Sequence, residues 1–210
     1  MRAGIQATTA AALLALATAA KAEDGAALDA LLAPASTAFL ERRDSPLLEA
    51  PLLLRGTLHQ PDAETLLREV ESPFHERTTI RAERVVIERA DGRERRFALR
   101  NAPELAALLD SFRALLGGDR ALLERHYRVR LDSTADGTWR IDLVPREARR
   151  QRRIARVELI GRDDALACLV VHAGDGGVSR MLLGAAAETT LDDALDSALA
   201  THCDTESVPE

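Results

Sequence analysis

Along most of the chain, apolar residues recur at every second position. Ala50, Leu52, Leu54, Gly56 and Leu58 share one face of an extended strand, and Pro51, Leu53, Arg55, Thr57 and His59 share the other. The first face is apolar and the second mixed. The same alternation groups Tyr127, Val129 and Leu131, then Trp139, Ile141 and Leu143, then Val157 and Leu159, then Leu169 and Val171. Asp91-Gly92, Asp136-Gly137 and Asp175-Gly176 each separate two such runs, and Asp-Gly is the pair that two-residue hairpins select. Further strands are predicted at about 36–43, 48–58, 65–71, 76–82 and 83–90, with a turn at Gln60-Pro61-Asp62. An antiparallel sheet of about ten or more strands, apolar on one side, must curl, and curling creates an inside. The predicted class is mainly β with helices (α+β).

Five stretches read as helix. Ala26 to Leu32 places Leu28, Leu31 and Leu32 on one face and stops at Pro34. Asn101 to Gly118 has an N-cap in Asn101, Glu104 three residues on, Pro103 in the first turn and Gly117-Gly118 as a stop. Its Leu105, Leu108, Leu109, Phe112, Leu115 and Leu116 form one apolar stripe. A short helix from Asp119 to about Arg125 follows, and the two together are the candidate lid over the interior. Pro145 to Arg153 is crowded with arginine, which fits either a solvated face with local acid partners or a patch for anionic lipid. Thr190 to Ala200 carries a brief stripe of Leu191, Ala194, Leu195 and Leu199.

The first 22 residues read as a secretory leader: Arg2, an alanine-rich core from Ala10 to Ala20, and a small-x-small site at Ala20-Lys21-Ala22. A cytosolic alanine-rich helix is the competing reading. The expected division is a leader at 1–22, one domain at 23–200 and a flexible tail at 201–210. No later stretch reaches the ~18 apolar residues of a spanning helix. Loss of the leader removes Arg2 and Lys21 and no acid, so the net charge of −6 becomes −8. That acidity, with aromatics at 3%, argues against nucleic acid as a partner.

Cys168 and Cys203 both follow the leader. In an oxidising compartment they either pair, tying the C-terminal segment to a late strand, or remain as one buried and one free thiol. The five histidines, His59, His75, His126, His172 and His202, have no metal-ligand spacing. No nucleophile elbow and no glycine-rich phosphate loop is present. The expectation is a protein without catalytic residues, metal or cofactor.

The run ERRDSPLLEAPLLLRGTL, the ESPF that follows it and the later VVIERADG resemble the periplasmic outer-membrane lipoprotein carriers, the LolA-like proteins, in a divergent branch. The similarity runs from about Ala26 to Leu183 and lies in the order of elements. It implies a half-open antiparallel β-barrel with a helical lid and a cavity that shields acyl chains. Leu52, Leu54, Leu58, Val129, Leu131, Ile141 and Leu143 would line the cavity, and Leu105, Leu108, Leu109, Phe112, Leu115 and Leu116 would close it; a plain packed core is the alternative for the strand leucines. The implied function is a periplasmic, monomeric carrier of acylated lipoprotein or lipid. It would load from an inner-membrane transporter, unload to an outer-membrane acceptor and touch membrane surfaces transiently. A lipid- or polyene-binding accessory protein that does not shuttle is the alternative. The family's lid-latching arginine before the turn proline is replaced here by Gln60 before Pro61, which leaves lipoprotein cargo and the usual latch open.

Overall fold

Eleven antiparallel strands form one sheet in the computed structural model, which describes residues 36–62, 65–81, 83–99, 124–163, 165–190 and 194–204. The strands are β1 (Ser36–Asp44), β2 (Leu52–Asp62), β3 (Thr65–Ser72), β4 (Glu76–Arg81), β5 (Arg84–Arg89), β6 (Glu94–Ala98), β7 (Tyr127–Ser133), β8 (Thr138–Pro145), β9 (Ile154–Arg162), β10 (Ala165–Ala173) and β11 (Val178–Leu183). Three short helices are described: α1 (Ala148–Gln151), α2 (Ala185–Thr189) and α3 (Leu195–Cys203). The leader at 1–22 and the helices expected at 26–32 and 101–118 lie outside the described residues.

The spatial order is β6-β5-β4-β3-β2-β1-β11-β10-β9-β8-β7. Every neighbour in it is also a neighbour in sequence, except at the β1–β11 junction. The free edges, β6 and β7, are consecutive in the chain and do not pair, so the sheet stays open between them. Hairpin geometry sets the rest. Gly92, Gly137 and Gly176 have φ of 79°, 83° and 91°, a region that costs glycine little. At each turn the preceding aspartate accepts a backbone N–H two residues on: Asp91 from Arg93 at 3.0 Å, Asp136 from Thr138 at 3.3 Å and Asp175 from Gly177 at 3.0 Å.

Two expectations need correction. The turn expected at Gln60-Pro61-Asp62 is strand: β2 runs through Asp62, and the register with β3 slips between His59 and Asp62. Proline is tolerated at such an irregularity because the ladder there does not call on its missing N–H. The sheet is also not apolar on one side only. Leu40, Ile160, Cys168, Val170 and Leu182 point away from the side that carries Phe39, Leu159, Leu169 and Met181, and they are buried under Ala187, Leu195, Leu199 and Cys203 of α2 and α3. The middle of the sheet is therefore covered on its outer face as well. The C-terminal helix begins at Leu195, and its buried stripe is Leu195, Leu199 and Cys203.

Cys168 on β10 and Cys203 on α3 form a disulfide, with Cα atoms 5.4 Å apart and a sequence separation of 35. Closing a loop of that size restricts the unfolded chain by about 4 kcal/mol. Replacing both cysteines with alanine is expected to lower the stability of the protein by about 2–4 kcal/mol in urea melts. The β signal in circular dichroism should persist, because the strands pair without α3.

Candidate functional site

Following the register from strand to strand identifies one continuous inner face. Phe39, Leu54, Val70, Met181 and Leu183 form a buried cluster with Leu52, Leu58, Leu166 and Leu169 against it. Tyr127, Trp139, Ile141, Leu143, Val157 and Leu159 form a second, packed with Val129, Leu166, Leu169 and Val171. Leu166 and Leu169 belong to both, so the two clusters are joined across the sheet from β2 to β8. A third cluster, Ile80, Val85 and Leu99 with Leu66, Ile87 and Phe97, lies toward β6. Gly161 leaves room for the one tryptophan: a Cβ there would stand 2.2 Å from the Trp139 ring. The indole N–H donates to the Asp163 carbonyl at 3.0 Å.

The seven wall residues expected from sequence all fall on this face, in different environments. Leu54, Ile141 and Leu143 are buried, while Leu52, Leu58 and Val129 are half-buried. Leu131, on the edge strand β7, is 45% exposed, since no strand covers its outer flank. The six expected lid residues, Leu105 to Leu116, lie outside the described residues. Among the described residues, two concavities lie on the β3–β6 side of the sheet. One, of about 350 Å³, lies at the turn end of β3–β5 and is lined mainly by Glu69, Glu71, Glu76, Glu88, Arg77 and Arg89. The other, of about 290 Å³, lies between Ile87 and Arg95. Neither is bordered by the expected wall residues.

A polar notch, not anticipated from sequence, interrupts the apolar surface. The Glu41 side chain is 2% exposed and shares the inner face with Phe39 and Arg43. Its Oε1 accepts from Arg43 Nε at 3.1 Å, Arg43 Nη2 at 2.7 Å and the Ser179 hydroxyl at 2.5 Å. Its Oε2 accepts from Arg68 Nη2 at 2.6 Å. Arg68 crosses above Gly56 and lays its guanidinium 4.7 Å from the centre of the Phe39 ring. Burial pushes the Glu41 carboxyl upward, but the Arg43 charge, the Ser179 hydrogen bond and the Arg68 charge outweigh it and hold the group below the usual glutamate range. The alternation Phe39-x-Glu41-x-Arg43 was the available signal in sequence; the reach of Arg68 from β3 was not.

The outer face holds a second buried carboxylate, Glu158, bonded by Arg140 and Arg156 and by His172 Nε2 at 2.6 Å. Of the arginine-rich connection, only Ala148–Gln151 is helical. Arg146 Nε donates to the carbonyls of Glu124 and Tyr127 at 2.8 and 3.1 Å, and Arg150 pairs with Glu147 at 3.3 Å, whereas Arg149 and Arg152 are exposed. Among the described residues, no group of three or more His, Cys, Asp or Glu side chains is placed to hold a metal ion.

An open antiparallel sheet with an apolar inner face and helices on its back defines the structural class. The sequence places the chain within a family: a family model described as outer membrane lipoprotein carrier protein LolA-like matches residues 17–206, and the chain belongs to that family. Similar solved structures include the LolA superfamily protein NE2245 from Nitrosomonas europaea, at 13% identity over 80% of this chain and 92% of that one, with a TM-score of 0.40. A putative outer membrane lipoprotein-sorting protein domain from Vibrio parahaemolyticus matches at 10% identity over 86% and 98%, with a TM-score of 0.37. LprF from Mycobacterium bovis matches at 10% over 79% and 92%, with a TM-score of 0.34. No curated protein matches the chain significantly.

The Glu41 notch has a pH signature. Because the folded carboxyl is held low, its contribution is complete above the unfolded pKa and is lost as pH falls through the folded value. Glu41→Gln is therefore expected to cost about 3 kcal/mol at pH 7 and to flatten the acid limb of the stability curve. Urea melts at a series of pH values check this. An acid limb as steep as that of the original protein would show that Glu41 does not contribute to it.

Proposed function

We propose that the protein is an exported periplasmic carrier that shields the acyl chains of a lipoprotein or lipid against its inner face. It would take cargo from an inner-membrane transporter and release it to an outer-membrane acceptor. Family membership supports the class of cargo. The observation that carries the reading is the apolar inner face running from Leu52, Leu54 and Leu58 to Ile141 and Leu143, interrupted at the Glu41 notch, on a sheet whose edges stay unpaired. Each acyl methylene taken from water onto such a surface gains about 0.8 kcal/mol. The surface must be covered when no cargo is present, or copies of the chain would associate through it. The two open edges are joined in sequence by the chain between Ala98 and Tyr127. The amphipathic stretch Asn101–Gly118, with Leu105, Leu108, Leu109, Phe112, Leu115 and Leu116, is the cover in this proposal.

The connections β1–β2, β3–β4, β8–β9 and β10–β11 lie at one end of the sheet, as the registers require. Leu47 is 87% exposed there and Phe74 44%, on the same end as Arg149 and Arg152. Apolar tips and exposed guanidinium groups on one end of the sheet suit brief contact with an anionic lipid surface.

Two measurements test this. Trp139 is the only tryptophan and lies on the inner face, so acyl chains carrying bromine at mid-chain should quench its fluorescence. Leu58→Glu should weaken that quenching titration by about tenfold or more. Unquenched fluorescence at saturating probe would defeat the carrier reading. Separately, Arg149→Ala with Arg152→Ala should weaken sedimentation with phosphatidylglycerol vesicles by about tenfold or more, since each basic residue near such a surface is worth about 1 kcal/mol. Unchanged sedimentation would leave these arginines as solvated surface.

A further inference from the structure

We propose that Arg43 and Arg68 form an anion-binding subsite on the inner face that takes the phosphate or carboxylate head of an amphiphilic cargo. The proposal rests on the carrier reading above and adds the chemistry of the head group. Its basis is an imbalance of charge and of hydrogen-bonding capacity. Glu41 is saturated: one oxygen accepts three donors and the other one. The arginines are not, because a guanidinium has five N–H donors and Glu41 receives two from Arg43 and one from Arg68. One carboxylate set against two guanidinium groups leaves a positive charge uncancelled on an apolar wall.

The wider inner face has the same sign. By strand alternation it carries Arg43, Arg68, Arg89 and Arg95 against Glu41 and Glu76 among the described residues. Glu76 and Arg89 satisfy each other at 3.1 Å. A chain of net charge −6 thus turns a cationic interior toward whatever it binds. A pair placed only to staple β1 to β3 would need one arginine. The second, Arg43, is 45% exposed, so its guanidinium can be reached by a ligand.

Position makes the subsite directional. Along β1, Arg43 stands nearest the turn at 45–51, and Phe39 lies four residues deeper beside Leu183 and Gly56. Four residues of strand span about 13 Å. A head group held at Arg43 would therefore lay its chain along Leu54 and Phe39 toward the register level of Trp139. Holding Arg68 on both Phe39 and Glu41 fixes its guanidinium before a ligand arrives, which limits the ordering cost of binding.

The test uses the full mature chain and two lysolipids with the same mid-chain bromination: an anionic lysophosphatidylglycerol and a neutral monoacylglycerol. Quenching of Trp139 reads both. The anionic probe is expected to bind about tenfold or more tighter than the neutral one. Arg43→Gln should abolish that preference while neutral-probe binding is retained, and Arg43→Lys should restore part of it. Equal binding of both probes by the unaltered protein, or an equal loss of both in Arg43→Gln, overturns the proposal while leaving the carrier reading intact. Failure of both probes to quench overturns the carrier reading and the subsite with it. Inorganic phosphate alone is titrated calorimetrically in parallel; affinity matching that of the anionic probe would show a free-anion site and overturn the head-group assignment.

Discussion

The ladder between β1 and β11 joins two meanders that would otherwise be separate sheets. Among the described residues, six strands lie on the β1 side and five on the β11 side, and every other pairing is between sequence neighbours. Local hairpins form with little loop-closure cost, whereas this pairing brings together residues more than a hundred positions apart. It is reinforced from both faces. Inside, Ser179 on β11 bonds Glu41 on β1 at 2.5 Å, and Met181 and Leu183 pack with Phe39. Outside, Leu40 and Leu182 lie in one cluster with Leu195 and Leu199 of the C-terminal helix. The disulfide then fixes that helix to β10, the neighbour of β11. Because the first and last strands, β1 and β11, meet in the middle of the sheet, the free edges fall between two consecutive strands. The opening of the half-barrel is a consequence of this topology.

Local hairpins and shared strand faces were legible because they depend on short-range chemistry, whereas the β1–β11 pairing was not. Three Asp-Gly pairs located three hairpins, and the alternation of Leu52, Leu54 and Leu58 or Trp139, Ile141 and Leu143 put each set on one shared face, where it clusters. The outer cluster was harder to read. Leu182 and Val170 are inconspicuous within continuous apolar runs, and only a distant helix explains why both faces are apolar there. Leu131 has the right parity for the inner face, but pattern alone cannot distinguish an edge strand from a central one. Pro61 suggested a turn because proline is usually excluded from ladders; the register slip that accommodates it has no local mark in sequence. Arg68 contacts Glu41 across an intervening strand, a relation that strand pairing has to be known to see.

An apolar face of this extent would by itself favour a solid core. What sets this inner surface apart is a charged group placed in the middle of it. Burying a carboxylate costs several kcal/mol before its partners return any of that, and a leucine at position 41 would pack against Leu54 and Met181 without such a cost. A sheet selected only for stability gains little from Glu41, Arg43 and Arg68 together. A sheet that must distinguish amphiphiles gains orientation, since the apolar wall holds any acyl chain whereas the guanidinium groups hold only an anionic head. On this view the notch separates cargo by its head group and the leucines supply affinity without selectivity. The position before Pro61, where the family carries its latching arginine, holds Gln60 here. The inner face of this chain instead sets Arg43 and Arg68 beside Glu41, the pair proposed above to take the head group.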